Sequence, residues 1–111
     1  MTAKIDGTTI QLTRGDTLKI HLDLFNEDET EYSPIEGDAI RFAMKKSYQD
    51  SNVVLRKDIP ISTMDLVFEP EDTKDLPQPS SYVYDIQLTH ANGDVDTFIT
   101  KAKFKITEEI V

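Results

Sequence analysis

Apolar and polar residues alternate along most of this 111-residue chain. The clearest run is Thr17–Phe25, in which leucine and isoleucine occupy every second position and Lys19, His21 and Asp23 stand between them. A period of two places successive side chains on opposite faces, so the run predicts a β-strand with one buried face. The same period predicts further strands at Thr8–Leu12, Ala39–Lys45, Val53–Ile59, Asp65–Phe68, Tyr82–Thr89, Val95–Ile99 and Ala102–Thr107.

Turn-forming residues separate the predicted strands. Arg14-Gly15-Asp16 predicts a tight turn and Asn92-Gly93 predicts a hairpin, because glycine adopts the left-handed backbone that such turns require. Lys4–Asp6 is a candidate partner of the opening strand. Glu71–Leu76 predicts a single helical turn, with acidic residues at its start and Leu76 directed at the core.

Seven or eight short antiparallel strands predict an all-β, immunoglobulin-like β-sandwich, with residues 1–111 in a single domain. The turn before the strand Tyr82–Thr89 supports this fold, because such sandwiches often carry a tyrosine there that bonds back to the preceding corner. Tyr82 and Tyr84 are therefore predicted to be structural, with one of them fixing the corner and both filling the core. We expect their substitution by phenylalanine to lower stability before it affects assembly.

The chain carries a net charge of −9, and its charges are segregated along the sequence. Acidic residues crowd Glu27–Asp38, which contains no lysine or arginine. Basic residues gather at Arg41, Lys45, Lys46, Arg56 and Lys57, and again at Lys101, Lys103 and Lys105. The net charge argues against partners such as nucleic acid or an anionic membrane. The segregation predicts solvated faces, or alternatively a means of orienting a charged partner.

Groups suited to catalysis are scarce in this sequence. It has no cysteine, and its two histidines, His21 and His90, are expected to be solvated and lack companions at metal-ligand spacing. It has no nucleophile elbow, phosphate-binding loop or dinucleotide fingerprint. These features predict a protein that is not an enzyme and uses no cofactor, metal or small-molecule substrate. Acidic turns at Asn26–Glu29 and Asn92–Asp96 offer oxygens to calcium, but they depart from EF-hand spacing and we interpret them as solubilising turns.

Two aromatic residues are candidates for contact with a partner. Phe25 takes the outward position at the end of its predicted strand, and Tyr48 lies in a polar connection. Exposed aromatic side chains often mark binding surfaces. The alternative interpretation is that Phe25 covers the end of a sheet and Tyr48 packs on a neighbouring loop.

Three segments together resemble a known family. They are IQLTRGDTLKIHLDL (Ile10–Leu24), AIRFAMKKSY (Ala39–Tyr48), and the stretch from Glu69 to Leu88 that contains EPEDTKDLP and YVYDIQL. In order and spacing they resemble the N-terminal immunoglobulin-like module of baseplate upper proteins from phages of Gram-positive bacteria. They are also similar to short stand-alone proteins encoded among prophage tail and head genes. The resemblance extends from Ile10 to Ile106.

The resemblance implies a non-catalytic virion protein of the baseplate, tail or capsid, assembled in the cytoplasm of the bacterial host. It implies other phage structural proteins as partners and self-association in the particle. Longer relatives continue into a helical stalk and a receptor-binding head, whereas this chain ends directly after its last predicted strand, as a complete short protein or one module of a longer one. The alternative function is a carbohydrate- or cell-surface-binding sandwich module. Such sites usually present tryptophan platforms, and this sequence has no tryptophan.

Overall fold

A computed structural model describes residues 3–4, 9–26, 28–76 and 80–107, and it confirms the predicted all-β sandwich. The described residues form ten strands and one short helix. These are β1 (Ala3–Lys4), β2 (Ile10–Thr13), β3 (Leu18–His21), β4 (Leu24–Asn26), β5 (Glu31–Tyr32), β6 (Ala39–Lys45), β7 (Val53–Ile59), β8 (Asp65–Phe68), α1 (Pro70–Thr73), β9 (Ser80–Thr89) and β10 (Val95–Thr107).

The strands form one large sheet and two small ones. The large sheet has the order β2-β10-β9-β6-β7, while β3 pairs with β8 and β4 lies between β1 and β5. In the large sheet, the last strand β10 lies beside the penultimate strand β9, and β9 lies beside the β6–β7 hairpin. Immunoglobulin-like sandwiches use the same arrangement in one of their two sheets. Within the described residues, no helix has the length and apolar content needed to span a membrane.

The hydrophobic core lies between the large sheet and the β3–β8 pair. Alternate residues of β6, of β9 and of the second half of β10 face inward and are almost fully buried. Four rings meet at the centre, where the centroid of Phe42 lies 5.3 Å from those of Phe68 and Tyr84, and Phe104 lies 5.2 Å from Phe68. Edge-to-face and tilted ring contacts of this kind add to the stabilisation that burial provides.

The predicted continuous strand Thr17–Phe25 is wrong in one respect. The chain leaves β3 after His21, the backbone N–H of Leu22 donates to the carbonyl of Met64 at 2.8 Å, and pairing resumes in a different sheet with β4. The predicted inward side is nevertheless confirmed, since Leu18 and Ile20 are half-buried and Leu22 and Leu24 are buried. Alternation specifies which side of a strand faces the core, but it carries no information about which strand lies beside it.

Strand pairing at the start of the chain also differs from the prediction. β2 runs parallel to β10, with Ile10 beside Phe104, so the sandwich is not wholly antiparallel. The sequence predicts that Lys4 pairs with the opening strand β2, but it pairs with Phe25 of β4. The remainder of the predicted Lys4–Asp6 strand lies outside the described residues. Short loops imply antiparallel neighbours, but β2 and β10 are distant in sequence and that rule does not constrain them.

The predicted helical turn is present as α1, one residue earlier than expected. Glu69 accepts from the backbone of Asp72 while the Asp72 carboxylate accepts from the Glu69 N–H, which closes a capping box around Pro70. Leu76 is half-buried against the core, as predicted, but Thr73 is the fully buried residue of this corner. Residues 77–79, which belong to the predicted corner, lie outside the described residues.

Candidate functional site

The outer face of the large sheet gathers basic side chains from three strands. Because side chains alternate along each strand, the residues between the buried positions of β6, β7 and β10 point away from the core. The basic residues among them are Arg41, Lys45, Arg56, Lys103 and Lys105, and we call this surface the cationic sheet face. Arg41, Arg56, Lys103 and Lys105 are exposed and Lys45 is half-buried.

Strand register places these cations around a small apolar centre. Val83 of β9 lies between Lys103 of β10 and Lys45 of β6. One row along the sheet, Ala43 lies between Asp85 of β9 and Arg56 of β7. Facing residues on adjacent strands stand about 4.5–5.5 Å apart at Cβ, so these side chains form one contiguous surface.

Two carboxylates also face outward on this sheet. Asp58 accepts from Nε of Arg41 at 3.0 Å across the β6–β7 pair, and Asp85 lies in the middle of β9. With the five basic residues, the described outward charges give this face a net positive charge, although the whole chain carries −9. The acidic groups therefore concentrate on the rest of the molecule.

Tyr48 folds back over this face. It lines a small surface pocket with Ala43, Lys45, Val83 and Asp85, although 42% of Tyr48 remains exposed. Burial against the sheet and the nearby Asp85 carboxylate raise the pKa of the Tyr48 hydroxyl. Tyr48 is thus both packed and exposed, so the two sequence interpretations each describe part of its position.

Phe25 lies apart from this surface. It belongs to β4, where it pairs with Lys4 on one side and Glu31 on the other, and it is 41% exposed. The structure therefore separates the two aromatic candidates, and Tyr48 is the one that lies on the cationic sheet face.

The acidic residues occupy the loops and the layer opposite the cationic sheet face. β8 packs through Leu66 and Phe68 on the inner face of the large sheet, and the segment that follows it is rich in carboxylates. That segment carries Glu69, Glu71, Asp72 and Asp75 beside a single lysine, Lys74. A second acidic surface surrounds β5, with exposed Asp28, Glu29, Glu31 and Glu36.

His90 is not solvated, so that prediction is wrong. Its side chain is 17% exposed, its Nε2 lies 2.7 Å from Asp96 Oδ2, and its Nδ1 lies 3.7 Å from Asp38 Oδ1. The Tyr32 ring stands edge-on to the imidazole at 6.1 Å. The hairpin places the start of β10 beside the end of β9, and this brings Asp96 next to His90. The sequence did not predict that Asp38 would lie beside them.

Asp38 is the buried carboxylate of this cluster. Its Oδ2 accepts from the Tyr32 hydroxyl at 2.6 Å and from the Ile35 N–H at 3.0 Å. Burial raises its pKa, but these hydrogen bonds and the nearby His90 outweigh that effect, so the pKa of Asp38 lies below its ordinary value. Burial and the hydrogen bond to Asp38 raise the pKa of Tyr32 to about 12. Asp38 Oδ1 is buried without a hydrogen-bond partner among the described residues, 3.7 Å from His90 Nδ1. The cluster ties the 32–38 turn to the β9–β10 hairpin.

His21 is exposed, as predicted, but it is paired. Its Nδ1 lies 2.9 Å from Asp65 Oδ1 and its Nε2 lies 3.7 Å from Asp23. The hydrogen bond to Asp65 is the main cause that raises the pKa of His21. The pair joins the two strands of the β3–β8 sheet at its surface.

The calcium candidates are used within their own turns. Asn92 Oδ1 accepts from the Asp94 N–H at 2.9 Å, and the Asp96 carboxylate is engaged by His90. The Asp28 carboxylate accepts from Thr30. Among the described residues, no group of three or more histidine, aspartate or glutamate side chains is arranged to hold a metal ion.

An apolar groove of about 410 Å³ opens between β2 and the β3–β8 pair. Its walls include Ile10, Leu18, Ile20, Leu22, Leu66, Tyr84 and Ile86. The polar side chains in its wall, such as His21 and Asp23, lie at the surface and not in an enclosed site. The groove can take up an apolar side chain, but it presents no nucleophile activated by a base.

The cationic sheet face was missed as a unit because its members are far apart in the sequence. The signal was nevertheless local, since Lys103 and Lys105 alternate with buried residues and so must share a face. The same reasoning separates Lys57 from the group: it is half-buried on the inner side of β7, where its Nζ lies 2.8 Å from Asp72 Oδ2.

Comparison with known proteins adds no assignment. No protein-family model matches this sequence, and no curated protein sequence matches it. The function is therefore inferred from the geometry and the sequence of the chain itself.

Proposed function

We propose that this chain is a non-catalytic structural module of a phage or prophage particle, in the baseplate, tail or capsid, and that it works through protein–protein contacts. The observation that carries the proposal is the cationic sheet face with Tyr48 at its centre. An aromatic residue that is half exposed and surrounded by charged residues is the usual composition of a protein-binding hot spot.

The surface chemistry favours a protein as partner. Arg41 is already paired with Asp58, and Asp85 interrupts the basic rows, so the face is mixed in sign with a positive excess. A surface of this kind complements an acidic protein surface more closely than a uniformly charged polymer. The resemblance of Ile10–Leu24, Ala39–Tyr48 and Glu69–Leu88 to phage modules supports placing that partner in a virion.

The scarcity of reactive groups supports a non-catalytic role. Both histidines are engaged by carboxylates, and the groove between the layers is lined mostly by inward-facing apolar residues. General acid–base catalysis needs a titratable group within reach of a bound substrate, and neither histidine stands in an enclosed site.

Mass spectrometry of purified particles tests this proposal. Particles induced from the strain that carries the gene should contain the protein at a fixed stoichiometry after density-gradient purification. Its absence from infectious, gradient-purified particles would overturn the proposal.

Two aromatic substitutions test the surface. Tyr48→Ala should lower incorporation into particles, whereas Phe25→Ala, at a position of equal exposure on another sheet, should not. Equal incorporation of Tyr48→Ala and wild type would exclude the cationic sheet face as the site of contact.

A further inference from the structure

The cationic sheet face and the acidic surfaces lie on different sides of one small molecule. The basic residues point outward from the large sheet, while β8 and α1 cover its inner face. α1 is held on that inner side by two contacts: Thr73 Oγ1 accepts from the Gly15 N–H at 2.8 Å, and Asp72 pairs with Lys57. The chain is thus polarised, with positive charge on one broad face and carboxylates behind it and around β5.

This polarity disfavours a face-to-face dimer. A two-fold contact of the cationic sheet face with itself would bring the positive excess of one copy, from Lys103, Lys105 and Arg56, against the same excess on the other, and like charges brought together at an interface are unfavourable. Contact with a different surface of a second copy, one that carries carboxylates, places opposite charges together. Such a contact is heterologous, and it builds rings or filaments when it repeats.

The middle of the face supplies apolar contact area for such a docking. Val83, Ala43 and the exposed part of Tyr48 lie between the lysines, so an approaching surface can bury them while charges at the rim pair. Val54, 38% exposed on the edge strand β7, extends this apolar area. An aromatic anchor within a polar rim is the arrangement that provides most of the energy in protein interfaces.

We propose that the cationic sheet face binds the acidic surface of a second copy of this chain in a head-to-tail contact. The inference deepens the proposed function, on which it rests for its setting in a particle. The net charge of −9 on each copy does not prevent the contact, because the Debye length is about 8 Å at physiological ionic strength and facing charges dominate at contact. Distant charges are screened over that length.

Sedimentation equilibrium of the isolated protein measures this association directly. Wild-type protein at concentrations up to about 1 mM should associate, since that range populates contacts of millimolar Kd. Raising the salt from about 0.15 M to about 1 M should weaken the association. A protein that stays monomeric throughout, or that associates more strongly at high salt, would overturn the proposal.

Charge reversal at matched positions separates the face from the net charge. Lys103→Glu with Lys105→Glu should lower the association constant about tenfold or more. Lys19→Glu adds negative charge at an exposed position outside both the cationic sheet face and the two acidic surfaces, and it should leave most of the association intact. Lys103→Glu alone makes the same change of net charge on the face and should weaken the association, so equal loss in these two single variants would assign the effect to net charge and overturn the proposal. Circular dichroism and urea midpoints confirm that each variant is folded.

Mixing complementary variants tests the head-to-tail arrangement. Two double variants, Glu71→Lys with Asp75→Lys and Glu29→Lys with Glu31→Lys, each reverse one acidic surface, and the one that reverses the partner surface should abolish self-association. Mixed with Lys103→Glu/Lys105→Glu protein, that variant should recover a 1:1 complex, because each protein supplies the surface that the other lacks. The pair that recovers identifies the acidic partner surface, and failure of both mixtures would overturn the proposal.

A DNA oligonucleotide serves as the competing ligand in the same assay. We expect no binding by wild-type protein at physiological salt, and binding that Lys103→Glu/Lys105→Glu abolishes would assign the face to nucleic acid instead. The outcomes also separate the two proposals. If the protein is found in particles but its variants show no charge-dependent association, only the self-contact is refuted. If the protein self-associates but is absent from particles, only the particle function is refuted.

Discussion

His90 and Asp96 join the two strands of the last hairpin at its base, with Nε2 of the imidazole 2.7 Å from Oδ2 of the carboxylate. The pair stands beside the buried Asp38, which ends the turn before β6. The cluster thereby connects the 32–38 turn to the β9–β10 hairpin at one end of the large sheet. This connection leads to two predictions about stability.

Substitution of Asp38 by asparagine should destabilise the protein. The Asp38 side chain is 1% exposed and accepts hydrogen bonds from Tyr32 and Ile35. Loss of the charge weakens these bonds, and one carboxylate oxygen becomes an amide nitrogen that cannot accept a hydrogen bond. The expected cost is about 1–3 kcal/mol in the free energy of unfolding. Urea denaturation at pH 7 measures the change, and Tyr32→Phe, which removes one donor only, should cost less.

The effect of Asp38→Asn should depend on pH. The pKa of Asp38 in the folded protein lies below its ordinary value of 3.8, so its carboxylate stabilises the fold above that value and the stabilisation is lost as the pH falls through the folded pKa. The difference in stability between wild type and Asp38→Asn should therefore narrow in acid. A difference that stays constant or widens below the ordinary pKa would show that the charge of Asp38 is not what stabilises the turn.

Gly37→Ala should cost more than Gly93→Ala. Both glycines have a left-handed backbone, with φ of 96° and 95°, so both substitutions carry the same strain, about 1–2 kcal/mol. A Cβ on Gly37 would stand 2.7 Å from Cβ of Ala91, whereas nothing lies within 4 Å of the Cβ position on Gly93. Urea midpoints of the two variants isolate the cost of the clash. Adding Ala91→Gly to Gly37→Ala should restore part of the lost stability, because it removes the Cβ that clashes. Equal midpoints for Gly37→Ala and Gly93→Ala would contradict the close approach of Gly37 to Ala91.

Thr73→Val should destabilise the corner that follows β8. Thr73 is fully buried and its Oγ1 accepts from the Gly15 N–H at 2.8 Å. Valine has nearly the same shape but no acceptor, so the Gly15 N–H loses its partner at a cost of about 1–3 kcal/mol. Thermal or urea unfolding measures the loss. Thr17→Val, at an exposed position of the neighbouring turn, should change stability by no more than about 0.5 kcal/mol.

Tyr82→Phe tests the corner hydrogen bond that the sequence predicts. The Tyr82 hydroxyl is buried and has no hydrogen-bond partner among the described residues. Removing an unpaired buried hydroxyl should leave the free energy of unfolding unchanged or raise it by about 1 kcal/mol. A loss of stability of about that size would instead show that the hydroxyl is hydrogen-bonded in the folded protein, as the predicted corner requires.

His21 should titrate above its ordinary pKa of 6.5. The hydrogen bond to Asp65 is the main cause, with Asp23 adding to it and Lys19 opposing it. Because the folded pKa is raised, the pairing stabilises the protein below pH 6.5 and the stabilisation is lost as the pH rises through the folded value. NMR titration of the imidazole measures the pKa. Asp65→Asn should lower it more than Asp23→Asn does, and the reverse order would contradict the assignment.

Local alternation predicted the buried side of most strands correctly. The inward positions of β6, β9 and the second half of β10 are those that the period of two selects, whereas Val95 at the start of β10 is 55% exposed. The positive φ of Gly15 and Gly93 follows from their place in turns. These features depend on neighbours along the chain, and a sequence records them directly. The outward direction of Lys103 and Lys105 follows from the same alternation.

Tertiary structure alone decided which strands distant in sequence meet. It divided Thr17–Phe25 between two sheets, set β2 parallel to β10, and placed Lys45 and Lys103 on either side of Val83. It also buried His90 beside Asp38. The alternation of one strand is the same whatever strand lies next to it, so register between distant segments is fixed only when their inward faces pack into a single core. The sequence by itself therefore determined the sandwich and the inward side of most strands, and packing determined the surroundings of His90 and the cationic sheet face.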